Sequence, residues 1–189
     1  GVQTCALPIL SGGAKNIFVS DCSFIGTDIG LRFKTTRGRG GIVENIYAAN
    51  INMKDIAAEA VLFDMYYMAK DPVALNGEKR EPPKVEAKPV DESTPQFRNF
   101  YFRNITCNGA SKGIFVRGIP EMHVQNVNID NAVLQASEGI EIQEASGINL
   151  KNISLVTKTS NPLVYVLNSD KIKLDNIKYK DSADVLLQV

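Results

Sequence analysis

The sequence has no excess of either charge: 21 lysines and arginines stand against 21 aspartates and glutamates, so the formal net charge at pH 7 is zero. A chain without a long-range field does not draw in nucleic acid, and any recognition of an anion has to be local. Cysteine is scarce too. Cys5, Cys22 and Cys107 are odd in number and widely spaced, with no CxxC and no pair of histidines beside them, so they argue against a disulfide framework and a zinc site and read as small core residues. His123, the single histidine, falls in the strand pattern MHVQNV, where a surface or satisfied core position is expected rather than a catalytic one. No run approaches the ~20 apolar residues of a membrane span, the first residues lack the basic start of a secretory signal, and no stretch sustains a helical period.

What is present is a β-forming pattern in one domain's worth of chain, 189 residues of which 44% are hydrophobic. Segments align on an asparagine or aspartate followed by alternating apolar residues: NIFVSDCSF from 16, NIYAANINM from 45 and NFYFRNITC from 99. In each, a second Asn or Asp follows five residues later, at Asp21, Asn50 and Asn104, and the reading continues this anchor through Asn126, Asn152 and Asn176. A second short strand pattern follows each anchor: GLRFK, AVLFDM, GIFVRG, GIEIQ, PLVYVL and DVLLQV. Short β-segments recurring about every 24 residues, joined by turns of Gly, Asn, Asp and Ser, predict an all-β solenoid, most simply a right-handed parallel β-helix. Stacked coils would align the asparagines into amide ladders and stack Ile and Val inside. A β-sandwich of short strands is the alternative, but it has no reason to return Asn-Ile at one place in each unit. Residues 69–95, rich in proline and charge, read as a loop inserted between coils. The first ten residues, GVQTCALPIL, do not fit the repeat and read as a foreign leader, leaving 11–189 as the β-helix domain.

The order SGGAKNIFVSDCSF, TDIGLRFKT and GRGG followed by VENIYAANINM resembles the C-terminal half of glycoside hydrolase family 28, the polygalacturonase-like pectinases, from about Ser11 onward. Arg32-Phe33-Lys34 is similar to that family's Arg-Ile-Lys signature. The resemblance implies a right-handed parallel β-helix, inverting hydrolysis of α-1,4-galacturonosyl or related pectic linkages without cofactor or metal, and export to the periplasm or outside the cell. The family's Asn-Thr-Asp, Asp-Asp and Gly-His-Gly motifs occur nowhere in these residues. The resemblance therefore places the catalytic aspartates ahead of Ser11, and this stretch is expected to bind substrate without cutting it. Asp21, Asp28, Asp55 and Asp64 are the acids near the signature, and none matches a missing motif.

Alternation gives Arg32 and Lys34 a role of their own. If Leu31 and Phe33 enter the core, both cations project outward about 6.5–7 Å apart. A guanidinium that binds bidentately beside an ammonium makes a clamp for a carboxylate, and the resemblance makes that carboxylate a uronic acid of the substrate. A phosphate site would want a helix after the glycines, whereas GRGG is followed by another strand pattern. Gly38, Gly40 and Gly41 are expected to form a tight turn with Arg37 and Arg39 at its rim. The resemblance sets Tyr67 beside the bound sugar, or Tyr66 if the register slips by one. Arg117 and Glu141 face outward on later coils and are candidates to extend the groove. The expected partner is an acidic polysaccharide, with no nucleic acid, membrane or cofactor, and the chain is expected to be a monomer. A non-catalytic β-helix that only binds acidic polysaccharide is the alternative function.

Overall fold

The structure, a computed structural model, describes residues 12–67, 85–159, 161–180 and 185–189. The expected leader and residues 69–84 of the expected loop lie outside the described residues. Long and short strands alternate along the chain. The long ones, β1 (Ala14–Ile25), β3 (Ile42–Lys54), β5 (Gln96–Asn108), β7 (Val124–Ala136) and β9 (Ala145–Thr157), form one sheet with the shorter β11 (Lys173–Lys178), in the order β1-β3-β5-β7-β9-β11. The others, β2 (Leu31–Lys34), β4 (Glu59–Asp64), β6 (Lys112–Arg117), β8 (Glu138–Gln143), β10 (Val164–Leu167) and β12 (Leu187–Gln188), form the second sheet in the order β2-β4-β6-β8-β10-β12. All pairings between neighbouring strands are parallel. Parallel neighbours need a crossover connection, and here each crossover is a strand of the opposite sheet, so the chain winds as a parallel β-helix. Its all-β coiled architecture is the one the repeat predicts.

The long strands bend where asparagine permits it. Asn45, Asn50, Asn99, Asn104 and Asn126 have φ between 53° and 62°, in the left-handed region that asparagine tolerates better than other side chains. Each bend turns the amide toward the coil below. Asn45 donates to Asn16 at 3.1 Å, Asn99 to Asn45 at 3.2 Å and Asn126 to Asn99 at 3.2 Å. A second ladder runs from Asn50 to Asp21 at 2.8 Å, Asn104 to Asn50 at 2.8 Å and Asn131 to Asn104 at 2.9 Å. Asn126 therefore belongs to the first ladder, and Asn131, not Asn126, stands over Asn104. Spacing alone misplaces this anchor because the coils differ in length: the ladder steps span 29, 54 and 27 residues, and the next coil is shorter, with 21 residues between the paired Asn128 and Asn149. The short step cancels the long one by Asn152, so the spacing looks regular when it is not. At Gly147 (φ 73°) the first ladder ends, since a Cβ there would come within 2.8 Å of Asn126 Oδ1.

Between the sheets, side chains stack in register. Leu31, Val61, Ile114, Ile140 and Val164 form one column of the second sheet, and Phe33, Phe63, Val116, Ile142 and Val166 the next. Five phenylalanines, Phe33, Phe63, Phe97, Phe100 and Phe102, fill the early coils with ring centroids from 4.7 to 6.3 Å apart. Each such ring contributes about 1.5–3 kcal/mol on leaving water. Cys107 belongs to this core, where burial pushes its thiol up to about 11. Leu31 and Phe33 face inward, which turns Arg32 and Lys34 outward.

Residues 85–95 carry no strand and run past the turn after β2. The N–H groups of Gly38 and Gly40 both donate to the carbonyl of Ser93, at 3.2 and 2.8 Å. A Cβ on Gly40 (φ 58°) would lie 2.2 Å from the Glu92 carbonyl oxygen, so that approach requires glycine. The expected tight turn is there, closed by Arg39 N–H on Thr36 O at 3.3 Å.

Candidate functional site

The site is assembled where the chain leaves β2 and β4. Thr35 N–H continues the ladder to Asp64 O at 2.9 Å, and Tyr67 N–H returns to Thr35 O at 3.0 Å. The turn after β4 is thereby folded against the end of β2, and the Tyr67 ring lies on the outer face with the two cations. Lys34 Nζ sits 3.9 Å from the ring centroid and Arg32 Cζ 5.5 Å from it. A ring face attracts a cation without neutralising it. Arg32 has a long contact of 3.5 Å to the exposed Asp28 carboxylate, and among the described residues Lys34 has no carboxylate within salt-bridge distance. The three residues expected at one place, Arg32, Lys34 and Tyr67, are brought together, and two positive charges remain available on one aromatic support.

Tyr66 goes the other way. It is 7% exposed, with the guanidiniums of Arg117 and Arg37 at 5.2 and 5.9 Å from its ring, so the turn resolves the one-residue ambiguity in favour of Tyr67 on the cation side.

Of the nearby acids, the exposed Asp28 makes only the long contact to Arg32, and Asp21 and Asp64 are committed elsewhere. Asp21 accepts from Asn50 in the ladder, and that hydrogen bond holds its carboxyl below the usual range. Asp55 occupies a left-handed bend (φ 54°). Asp64 stands opposite Lys34 in register, yet its Oδ1 accepts from Arg117 Nη2 at 2.7 Å, Arg117 Nε at 3.1 Å and Tyr66 N–H at 3.0 Å. Arg117 is consequently 8% exposed, which corrects the expectation that it would extend the groove. Glu141 is similarly engaged: Lys112 Nζ binds one oxygen, Gln143 donates to the other at 2.6 Å, and Glu138 takes the same ammonium at 3.2 Å. Arg37 was expected at the rim of a turn, but its fork reaches both Glu121 oxygens at 2.7 Å. Burial, the largest single influence, works against the Glu121 carboxylate, and the Arg37 fork together with backbone hydrogen bonds outweighs it, holding the group below its ordinary 4.5. His123 Nε2 lies 3.1 Å from Glu144, part of a separate polar contact. Among the described residues no three His, Cys, Asp or Glu side chains gather where a metal ion could be held.

Alternation shows which residues leave the core, but it cannot tell Arg32 from Arg117; the difference lies in partners 53 residues away in sequence.

Comparison with known proteins finds a family and a curated relative. The family described as glycosyl hydrolases family 28 matches residues 11–102, a stretch that holds Arg32, Lys34 and Tyr67. The polygalacturonase QRT2 of Arabidopsis thaliana is 26% identical over 139 residues, which cover 72% of this chain and 28% of that protein. No solved structure matches the chain. The chain thus spans well under two thirds of the curated relative it resembles. A coiled parallel β-fold and a matched segment carrying the Arg-Phe-Lys strand make residues 11–102 similar to family 28 of the glycosyl hydrolases.

Proposed function

We propose that this chain is the substrate-holding part of a pectin-type glycoside hydrolase, and that Arg32 and Lys34 bind the carboxylate of a galacturonate unit while Tyr67 supports its ring. The observation that carries this reading is the pair of outward cations sharing one tyrosine face with no buried counter-ion among the described residues. A guanidinium offers two parallel N–H donors to a carboxylate, and an ammonium adds a point charge. A hydrogen bond to a charged group contributes about 1.5–3 kcal/mol, so each cation is worth about tenfold to a hundredfold in affinity. Hydrolysis by the whole protein would follow the inverting course, with an acid and a base about 6.5–9.5 Å apart on opposite faces of the scissile bond. Among the acids near the cations, Asp21 is held in a ladder and Asp64 in an ion pair, which supports a binding role for this stretch and a catalytic one for residues outside it. Export to the periplasm or beyond the cell is the location that suits a polymeric substrate.

Calorimetric titration of the chain with trigalacturonate tests the reading. Binding that weakens about tenfold or more in Arg32→Ala and again in Lys34→Ala supports it. Unchanged affinity in both variants overturns it. Reducing-sugar release from polygalacturonate by a protein extended upstream separates hydrolase from pure binder: release supports the hydrolase, and binding without release the alternative.

A further inference from the structure

Lys34, Asp64 and Arg117 occupy one register column on three successive strands of the second sheet. Neighbouring strands lie about 4.8 Å apart, so the Asp64 carboxylate has a cation on either side within reach of a side-chain rotation. It is bound to one of them only. Its Oδ1 collects both Arg117 donors and the Tyr66 N–H, and the guanidinium is itself covered by the rings of Tyr66 and Phe115 at 5.2 and 5.3 Å. The Asp64 side chain is 15% exposed and the Arg117 side chain 9%, so this pair is sheltered from screening by solvent.

We propose that Arg117 is a positioning residue for the uronate site: by holding Asp64 it keeps that carboxylate off Lys34 and leaves the ammonium for the substrate. The proposal rests on the reading of Arg32, Lys34 and Tyr67 as that site. Without Arg117, Asp64 is a poorly solvated carboxylate whose adjacent cation in the column is Lys34. Turning toward it satisfies the orphaned charge and consumes the charge that should meet the ligand. The same turn would withdraw the acceptor of the Tyr66 N–H, loosening the segment that holds Tyr67 above Lys34. Arg117 thus serves the site without touching a bound sugar.

Two variants separate this from a merely structural role, again with trigalacturonate as the probe. Arg117→Gln is expected to weaken binding about tenfold, the cost of neutralising one clamp cation. Adding Asp64→Asn removes the competing carboxylate while keeping an oxygen for Tyr66 N–H, and the double variant is expected to return to within about threefold of the original affinity. That rescue is the decisive readout, because a simple loss of packing at Arg117 would not be repaired by a second change beside it. A double variant as weak as Arg117→Gln, or Arg117→Gln binding normally, overturns the proposal. If Arg117→Gln does not fold, Arg117→Lys replaces it: a cation kept beside Asp64 should hold affinity within about threefold, and a tenfold loss there overturns the proposal. Arg32→Ala and Lys34→Ala in the same assay keep the two questions apart. If they bind normally the site itself is misassigned, and the role given to Arg117 falls with it.

Discussion

Two strands of one sheet carry cations whose charged groups reach the same outer side and treat them in opposite ways. On β6, Lys112 and Arg117 are 6% and 8% exposed, and each is matched by carboxylates, Glu138 and Glu141 for the lysine and Asp64 for the arginine. On β2, Arg32 and Lys34 have a tyrosine ring and one long contact to an exposed aspartate. A cation taken out of water must be paired, so the β6 charges are fixed by their own fold. Those on β2 stay near solvent and keep their charge for something outside the chain. A charged group on the outer side of the sheet is common to all four; accessibility and partner decide which are structural.

The largest effect should come from breaking a β6 pair. Glu141→Ala leaves Lys112 with only the more exposed Glu138, and is expected to cost about 3–5 kcal/mol in a denaturant titration. A loss below about 1 kcal/mol would mean that solvent reaches Lys112 and that the contrast between the strands is weaker than the geometry indicates. Next comes the asparagine ladder that ties β3, β5 and β7 of the first sheet together. Asn104→Ala removes a donor to Asn50 and an acceptor for Asn131 and places a Cβ-bearing residue at φ 55° without its local hydrogen bonds. About 2–3 kcal/mol is expected in thermal unfolding, and Asn104→Gly should recover part of it by relieving the backbone.

The acid dependence of the latch between the turn after β2 and the loop after β6 is smaller. Glu121 has a folded pKa below its ordinary 4.5, so its pairing with Arg37 stabilises fully above that value and is lost as pH falls through the lowered one. The contribution is about 1 kcal/mol, read as a fall in melting temperature below about pH 4 that Glu121→Gln lacks. An unchanged acid slope in that variant would place the titration elsewhere.

These contrasts also mark what could be read from the sequence. The strand GLRFK was legible because Leu31 and Phe33 alternate with Arg32 and Lys34, and alternation is a local property. The bend positions were legible as asparagines, since few other side chains accept φ near +55°. Which asparagine stacks on which was not, because coil lengths of 27 and 21 residues offset each other and made Asn126 look like the partner of Asn104. Tyr66 and Tyr67 are equivalent by pattern; a single backbone bond, Tyr67 to Thr35, tells them apart. The commitment of Arg117 was invisible for a related reason: its carboxylate lies one coil back, across an interval whose length no local rule fixes.

The smallest effect on stability should be on β2 itself, and it sharpens the comparison most. Arg32→Ala and Lys34→Ala remove charges whose only close partners among the described residues are an exposed carboxylate at 3.5 Å and a ring face, so each should change unfolding free energy by about 0.5 kcal/mol or less. The same two changes are expected to lower trigalacturonate affinity by about tenfold or more. A residue that contributes little to folding and much to binding has its charge uncompensated within the chain, whereas Lys112 and Arg117 should show the reverse. If Lys34→Ala instead destabilised the chain as strongly as Glu141→Ala, its ammonium would already have an internal partner, and β2 would be one more structural strand of the solenoid.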